Sequence, residues 1–127
     1  MIHKGVIMSV KSYKDLIVWQ KSIELVCEIY RITKLLPKEE LYGLCDQMRR
    51  ASVSVASNIA EGHARSYDKE FAKFLSISQG SLAELETQLH ICICLNYMTS
   101  EQIQTSYDLC AEIGKMLFSL ISTLKNS

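Results

Sequence analysis

Residues that break secondary structure are scarce in this sequence. It holds one proline and five glycines among 127 residues, and no stretch is rich in proline, glycine and serine. An all-β chain needs many tight turns, and a chain of several domains needs polar or glycine-rich linkers. The scarcity therefore predicts one mainly helical domain, and 127 residues are enough to bury a single hydrophobic core.

Long apolar runs and an excess of charge of one sign are missing as well. No run approaches the roughly 20 apolar residues of a transmembrane helix, and the apolar part of the N-terminal segment is too short for a signal peptide. Fourteen basic residues balance fourteen acidic ones, so the net charge provides no attraction towards nucleic acid. We expect a cytoplasmic protein without a membrane partner.

The residues that would carry enzyme or metal chemistry do not form a recognisable motif. The five cysteines are an odd number without the spacing of a zinc site or a disulfide framework, which predicts free thiols. A di-iron bundle needs Glu-x-x-His on each of two helices, and this chain has none. Glu86 and His90 lie one helical turn apart, but two ligands make no metal site. We predict no catalytic residue, no metal and no cofactor.

Apolar residues recur at helical spacing in four segments, which span about 12–36, 38–62, 71–92 and 103–124. Asn96 is a predicted left-handed cap, and Thr99 with Gln102 has the form of a capping box. Short connections between long helices make them antiparallel neighbours. The predicted fold is all-α, an antiparallel up-down-up-down four-helix bundle over 12–125, preceded by a flexible tail over 1–11.

The first predicted helix carries two apolar rows, although one bundle core needs only one. We assign the first row to the core; it consists of Leu16, Trp19, Ile23, Val26 and Tyr30. The second row is then left facing outward as a candidate oligomer interface, and it includes Val18, Leu25, Ile29 and Ile32.

Small residues crowd the second predicted helix in the stretch RRASVSVASNIAEGHAR, residues 49–65. The helical period of the surrounding apolar residues outweighs the short SVSV alternation, so we predict a helix that ends at Gly62 in the left-handed conformation. A chain reversal near residues 64–67 would place Ala51 opposite Gly80 and Ser54 opposite Ile77. A glycine in mid-helix costs about 1 kcal/mol relative to alanine, so we predict that Ala51 and Gly80 form a close helix–helix seam that offsets this cost.

The polar residues around this seam have three interpretations. The first is a structural polar network, because a buried charge without a partner is destabilising; it comprises Ser54, Asn58, Glu61, Ser81, Glu84 and Gln88. In the same register Arg50 would lie near Ser81 and Glu84, and Glu61 near Lys69 and Lys73. The second interpretation is a contact patch for nucleic acid or another partner, made of Arg49, Arg50, His63 and Arg65. The third is a catalytic site.

Three stretches resemble a known family. They are YKDLIVWQKSIEL, YGLCDQMRRASVSVASNIAEG and KEFAKFLSISQGSLAELETQL, and the similarity spans about residues 13–124. The order of Arg-Arg, Asn-Ile-Ala-Glu-Gly and Gly-Ser-Leu-Ala-Glu-Leu-Glu resembles the four-helix-bundle family of 23S rRNA intervening-sequence proteins. Some members of that family are encoded within insertions in rRNA genes. Others resemble the accessory variability protein of diversity-generating retroelements, a basic pentamer that binds nucleic acid and a reverse transcriptase.

The resemblance implies a bacterial, cytoplasmic protein without enzymatic activity that assembles as a ring-like homo-oligomer, a pentamer. It makes RNA or a nucleoprotein complex the leading external partner. The neutral charge of this chain departs from the strongly basic members that bind nucleic acid. We therefore predict a non-enzymatic, homo-oligomeric binding or assembly module associated with RNA or a nucleoprotein complex. The alternative is a purely structural or protein-binding oligomer with no nucleic-acid role.

Overall fold

Four long helices pack into one bundle. The structure is a computed structural model that describes residues 10–126, with helices α1 (Ile17–Thr33), α2 (Asp46–Ala64), α3 (Asp68–Cys94) and α4 (Ser100–Lys125). Helix α1 packs against α2 and α4, and α3 packs against the same two helices, so α1 and α3 lie diagonally across the bundle. The all-α four-helix prediction is confirmed. Among the described residues, no helix combines the length and apolar character needed to cross a membrane.

The chain enters the bundle through a short turn. Ser12 caps a 3-10 turn at Tyr13–Asp15, where its Oγ accepts a hydrogen bond from the backbone N–H of Lys14 at 3.1 Å. The first α-helix begins only at Ile17. Residues 1–9 of the predicted tail lie outside the described residues, and Val10 is already half-buried against the core.

The connection between α1 and α2 is more irregular than the periodicity predicts. A continuous helix was expected from about residue 38, but a 3-10 turn at Lys38–Glu40 and a π-helical turn at Leu41–Cys45 come first. One carboxylate oxygen of Glu40 accepts the backbone N–H of Leu44 at 3.2 Å. The other accepts the hydroxyl of Tyr97 at 2.9 Å. Glu40 therefore stabilises the bend and joins it to the loop between α3 and α4.

The predicted C-terminal cap of α3 and N-terminal cap of α4 are confirmed, whereas the predicted Ser66 cap at the start of α3 is wrong, because Tyr67 takes that position without a side-chain cap. Asn96 follows α3 with a φ of 60°, and among the described residues no other non-glycine residue has a positive φ. Thr99 and Gln102 form both bonds of the capping box: the Thr99 hydroxyl accepts the Gln102 N–H at 3.1 Å, and the Gln102 side chain accepts the Thr99 N–H at 3.0 Å.

Gly62 does not end α2 in the left-handed conformation. No described glycine has a positive φ, and α2 continues to Ala64. A Cβ atom at Gly62 would lie 2.6 Å from Cβ of Phe74 and 3.0 Å from Cδ1 of Phe71. Since real Cβ atoms do not approach other atoms so closely, Gly62 is the position that lets α2 and α3 approach.

The predicted seam between Ala51 and Gly80 is wrong. Ala51 is buried, but Gly80 is exposed, and a Cβ atom there would have no heavy atom within 4 Å. The Oγ atom of Ser54 bonds to that of Ser81 instead of facing Ile77, and Oγ of Ser78 donates to the carbonyl oxygen of Val55, so α3 is displaced by two to four residues from the predicted register. The close approach at Gly62 sets this register, and the displacement turns Gly80 to the surface.

The assignment of the two rows on α1 is also wrong, except that Leu16 is buried in the core as predicted. Val18, Leu25, Ile29 and Ile32, predicted to face outward, are core residues with at most 3% exposure. In the row assigned to the core, Ile23 and Tyr30 are 37% and 41% exposed. Both rows have helical spacing, so the period alone did not distinguish them. The tyrosine and tryptophan of the first row suit the boundary with water, because each combines an apolar ring with a polar group.

Candidate functional site

Arg49 joins α2 to α1. Its Nε donates a hydrogen bond to Oγ1 of Thr33 at 3.0 Å, and its guanidinium carbon lies 4.6 Å from the ring centroid of Tyr30. Both partners are on α1, near its C-terminal end. The side chain is half-buried, and a large part of its hydrogen-bonding and stacking capacity is used within the chain. Arg49 therefore has a structural role in this fold, and only the exposed part of its guanidinium is free to bind a partner.

Arg50 and Arg65 are paired with acidic residues one turn earlier on the same helix. Nε of Arg50 lies 2.9 Å from a carboxylate oxygen of Asp46, and Nη2 of Arg65 lies 3.4 Å from one of Glu61. The Arg65 guanidinium also lies over the ring of Phe74, at 5.1 Å from its centroid. Both arginines are exposed. Each contributes a local positive charge that a neighbouring negative charge largely balances.

His63 faces the bundle rather than the surrounding solution. Its ring contacts the ring of Phe71 edge to face, with the centroids 5.7 Å apart. Its Nε2 atom is enclosed and has no hydrogen-bond partner among the described residues. The orientation excludes His63 from an exposed contact patch.

The four residues of the predicted contact patch do not converge. Arg49 and Arg50 lie near the start of α2, whereas His63 and Arg65 lie at its end. At 1.5 Å per residue the two groups are about 24 Å apart along the helix. Asp46 and Glu61 alternate with the arginines, so this face of α2 carries both signs of charge rather than a continuous basic surface.

Part of the predicted polar network joins α2 to α3. The hydroxyl oxygens of Ser54 and Ser81 are 2.8 Å apart, and Nδ2 of Asn58 donates to the carbonyl oxygen and to Oγ of Ser54 at 2.9 and 3.0 Å. One turn away, the buried Ser78 hydroxyl donates to the carbonyl oxygen of Val55 at 2.9 Å. These bonds satisfy polar groups at the helix contact and fix its register.

The other predicted members lie outside this network. Glu61 pairs with Arg65 and not with Lys69 or Lys73, and Arg50 pairs with Asp46 and not with Ser81 or Glu84. Glu84 is exposed on α3. Gln88 is buried, but no group among the described residues hydrogen-bonds to its Oε1. The register displacement explains these differences, because it moves each α3 residue away from its predicted partner.

Apolar side chains along the contact of α1 and α2 form a surface row that the sequence analysis assigned to the core. We call this the α1–α2 row; it consists of Trp19, Ile23, Val26, Tyr30 and Val53. Trp19 packs edge to face against Tyr13 with the centroids 5.2 Å apart. Tyr30 and Val53 line the same shallow cleft, so the row continues from one helix to the other.

A second, partly apolar surface lies on α3. Ile77 and Ile91 are 43% and 38% exposed, and the exposed Gly80 and Glu84 lie on the same side of the helix between them. We call Ile77, Gly80 and Ile91 the α3 row. No side chain of the described residues covers Gly80, so nothing within residues 10–126 offsets the cost of a glycine in mid-helix.

The sequence matches the family described as 23S rRNA-intervening sequence protein over residues 14–119. The chain belongs to this family. It is also similar to the crystal structure of a protein with unknown function from the S23 ribosomal protein family of Bacteroides thetaiotaomicron VPI-5482. The two are 31% identical with a TM-score of 0.79, and the similarity covers 87% of this chain and 99% of that one. No curated protein matches the sequence.

The cysteines of this 23S rRNA-intervening sequence family member are free thiols. Cys45, Cys92 and Cys110 are buried, and Cys27 and Cys94 are exposed. Burial, with a smaller effect of the Glu86 charge, raises the pKa of Cys110 to about 12. Burial and the charge of Glu40 raise the pKa of Cys92 to about 11. A nucleophile needs the thiolate, so neither buried thiol is activated.

These pKa shifts predict how the stability of this family member depends on pH. The ordinary pKa of the Cys110 thiol is 9.0 and its folded value is about 12, so the unfolded chain loses this proton first as the pH rises. The stabilisation is fully present below pH 9 and is lost as the pH rises towards 12. We expect Cys110→Ala to show a shallower loss of unfolding free energy above pH 9 than the wild type, measured by urea unfolding with reductant. The control Cys27→Ala, which changes an exposed thiol, should retain the wild-type slope, and an unchanged slope for Cys110→Ala would contradict the prediction.

The residues described for this family member contain no group of three or more His, Cys, Asp or Glu side chains that could hold a metal ion. Glu86 and His90 therefore remain a pair without a third ligand in that part of the chain. Their placement adds no argument for metal chemistry.

Proposed function

We propose that this protein is a non-enzymatic, homo-oligomeric assembly module, in which the α1–α2 row of one copy packs against the α3 row of the next. The supporting observation is the presence of two surface rows with exposed apolar side chains, one mainly on α1 and the other on α3, which lies diagonally across the bundle from α1. A closed ring needs such a contact between two different surfaces of the same chain. The pentamer implied by the resemblance is our working number of copies.

The composition of the two rows suits this contact. The α1–α2 row supplies large side chains, above all Tyr30, and aromatic residues are enriched at interface cores. The α3 row supplies Gly80, whose missing side chain leaves space for a neighbouring copy. Charges of both signs, Arg50 and Asp46, lie beside the first row. Because the protein is neutral overall, they repel a second copy less than a surface with charge of one sign would.

The external partner has two candidates. The family's name connects it with 23S rRNA, which supports RNA or a nucleoprotein complex as the partner. The internal pairing of Arg50 and Arg65 and the enclosure of His63 support the alternative of a structural or protein-binding oligomer. Phosphate contacts by Lys and Arg supply most non-specific affinity for nucleic acid. Of the two candidates, this face of α2 favours the protein-binding oligomer.

Charge substitutions in either row test the assembly. We expect Tyr30→Glu and Ile77→Glu each to convert the oligomer into folded monomer, because either change places a carboxylate in an apolar contact. The measurement is mass by analytical ultracentrifugation, with circular dichroism to verify folding. The control is Phe118→Glu, which alters a side chain that is 71% exposed on α4 and should leave the oligomer intact.

A mixture of the two variants distinguishes a ring contact from a symmetric one. The Tyr30→Glu chain keeps an intact α3 row and the Ile77→Glu chain keeps an intact α1–α2 row, so the mixture should form heterodimers and nothing larger. If each variant alone retains the wild-type mass, the proposed interface is wrong. Loss of assembly in only one variant, with homodimers of the other, would show a contact between identical surfaces instead.

A further inference from the structure

A groove at one end of the bundle brings three lysines together. It lies between the first turns of α3 and the last turn of α4, and Lys69, Lys73 and Lys125 line it together with one acidic residue, Asp68. Ala72 and Leu124 add an apolar part to the lining. Its volume of about 760 Å³ is in the range of small-molecule sites. Lys125 is more than fifty positions from the other two in the sequence, so the groove exists only in the folded chain.

The three lysines differ from the arginines of α2 in their pairing. Within residues 10–126, none of the three forms an ion pair with an acidic side chain, whereas Arg50 and Arg65 each have one. Within this part of the chain, an anion could therefore bind to these ammonium groups without breaking an ion pair.

The position of Lys69 and Lys73 is unfavourable for the fold itself. Lys69 lies in the first turn of α3, at the positive end of the helix dipole, where acidic residues are stabilising and basic residues are not, and Lys73 lies one turn further on. They are also four residues apart, so two like charges are neighbours on one helix face. A structural role explains Lys125, because a lysine suits the C-terminal turn of α4. It does not explain the other two.

Three other depressions among the described residues differ in the pairing or placement of their charges. In the cleft beside Tyr30, the Arg50 charge is paired with Asp46, which lines the same cleft. A depression on α4 places Lys115 beside Asp108 and Glu112. A smaller depression of about 250 Å³ is lined by Lys34, Lys38 and Arg49. It lies at the C-terminal end of α1, whose dipole repels anions, and Arg49 already donates a hydrogen bond to Thr33 there.

We propose that this groove binds the phosphate group of a small phosphorylated compound between Lys69, Lys73 and Lys125. The phosphate charge would offset the repulsion between Lys69 and Lys73, and the dipole at the start of α3 would add to the attraction. An RNA strand instead presents phosphates along an extended path, and Arg65, at the end of α2, is already paired with Glu61. The groove therefore favours a small phosphate ester, independently of the assembly proposed above.

Calorimetric titration and thermal unfolding test this site. The probes are inorganic phosphate and glycerol 3-phosphate, with chloride at matched ionic strength as the reference and a single-stranded RNA oligonucleotide as a separate arm. We expect both phosphates to bind the wild type and to raise its melting temperature. Lys73→Gln should weaken binding at least tenfold. The matched control Lys115→Gln removes a lysine elsewhere on the surface and should bind like the wild type.

Unfolding in chloride alone provides a second readout. There, Lys73→Gln should melt at the wild-type temperature or above it, because the substitution removes the repulsion from Lys69. No phosphate-dependent shift in the wild type, or equal binding by Lys73→Gln and the wild type, would overturn the proposal. RNA binding without binding of either small phosphate would also overturn it, because the ligand would then be an extended polyanion.

Discussion

Ile29→Ala should lower the free energy of unfolding by about 2–5 kcal/mol, the range for removing a buried isoleucine side chain and leaving a cavity. Ile29 is fully buried, so the substitution removes core contacts. Ile23→Ala, on the neighbouring row of the same helix, should cost less than about 1 kcal/mol, because that side chain is partly in water already. The measurement is urea unfolding of both variants in a Tyr30→Glu background, where association does not contribute.

The comparison tests which row of α1 faces the core. In the background without assembly, equal costs for the two substitutions would contradict the placement of these rows. With the wild-type Tyr30 present, Ile23→Ala should weaken the oligomer, since Ile23 belongs to the α1–α2 row. Ile29→Ala should weaken it only to the extent that it unfolds the chain.

Two glycine substitutions should have opposite effects on stability. Gly62→Ala should destabilise the fold by about 1–3 kcal/mol, the usual cost of overpacking, because the new Cβ would meet Cβ of Phe74 at 2.6 Å. That atom is fixed to the backbone of α3, so rotating a side chain does not relieve the contact. Gly80→Ala should instead stabilise the monomer by about 1 kcal/mol, the gain in helix propensity, because its new Cβ would have no neighbour within 4 Å.

The same urea measurement in the Tyr30→Glu background checks both glycines. A neutral Gly62→Ala would show that α2 and α3 do not depend on close approach at this point. If Gly80→Ala were destabilising, Gly80 would lie in a close helix contact, as the sequence analysis predicted for Gly80 and Ala51. The pair controls for the change itself, since both variants add one methyl group to a helical glycine.

The parts of the fold that depend on local chemistry could be predicted from the sequence. The capping box of Thr99 and Gln102 and the left-handed Asn96 involve residues close together in the chain, and both were predicted. The helical period likewise located the apolar positions of α3, of which Phe71 and Leu75 are fully buried. Such features require no knowledge of how one helix lies against another.

The parts that depend on packing could not be predicted in the same way. The register of α2 and α3 follows from the contact of Gly62 with Phe71 and Phe74, and a rule based on the position of the turn missed it by two to four residues. The choice between the two rows of α1 depends on the total apolar surface that α2 and α4 offer, which the period of α1 does not contain. The α1 error exchanged buried and exposed positions of one helix. The register error placed the exposed Gly80 in a helix contact.

The candidate sites likewise divide into features set by nearby residues in the sequence and features set by the packing of helices. The pairs Arg50–Asp46 and Arg65–Glu61 are four residues apart, so the spacing alone allowed them to be found. The lysine groove depends on Lys125 meeting Lys69 and Lys73, which are more than fifty positions away in the sequence, and no local pattern signals it. Two lysines at the start of a helix were the available sequence signal.

Glu40 connects two loops that are far apart in the sequence. Its carboxylate holds both the bend before α2 and, through Tyr97, the loop after α3, so neither connection can open without releasing a bond of the other. Local openings in helical bundles occur in cooperative units rather than residue by residue. We therefore expect the backbone amides of these two loops, more than fifty residues apart in the sequence, to open together.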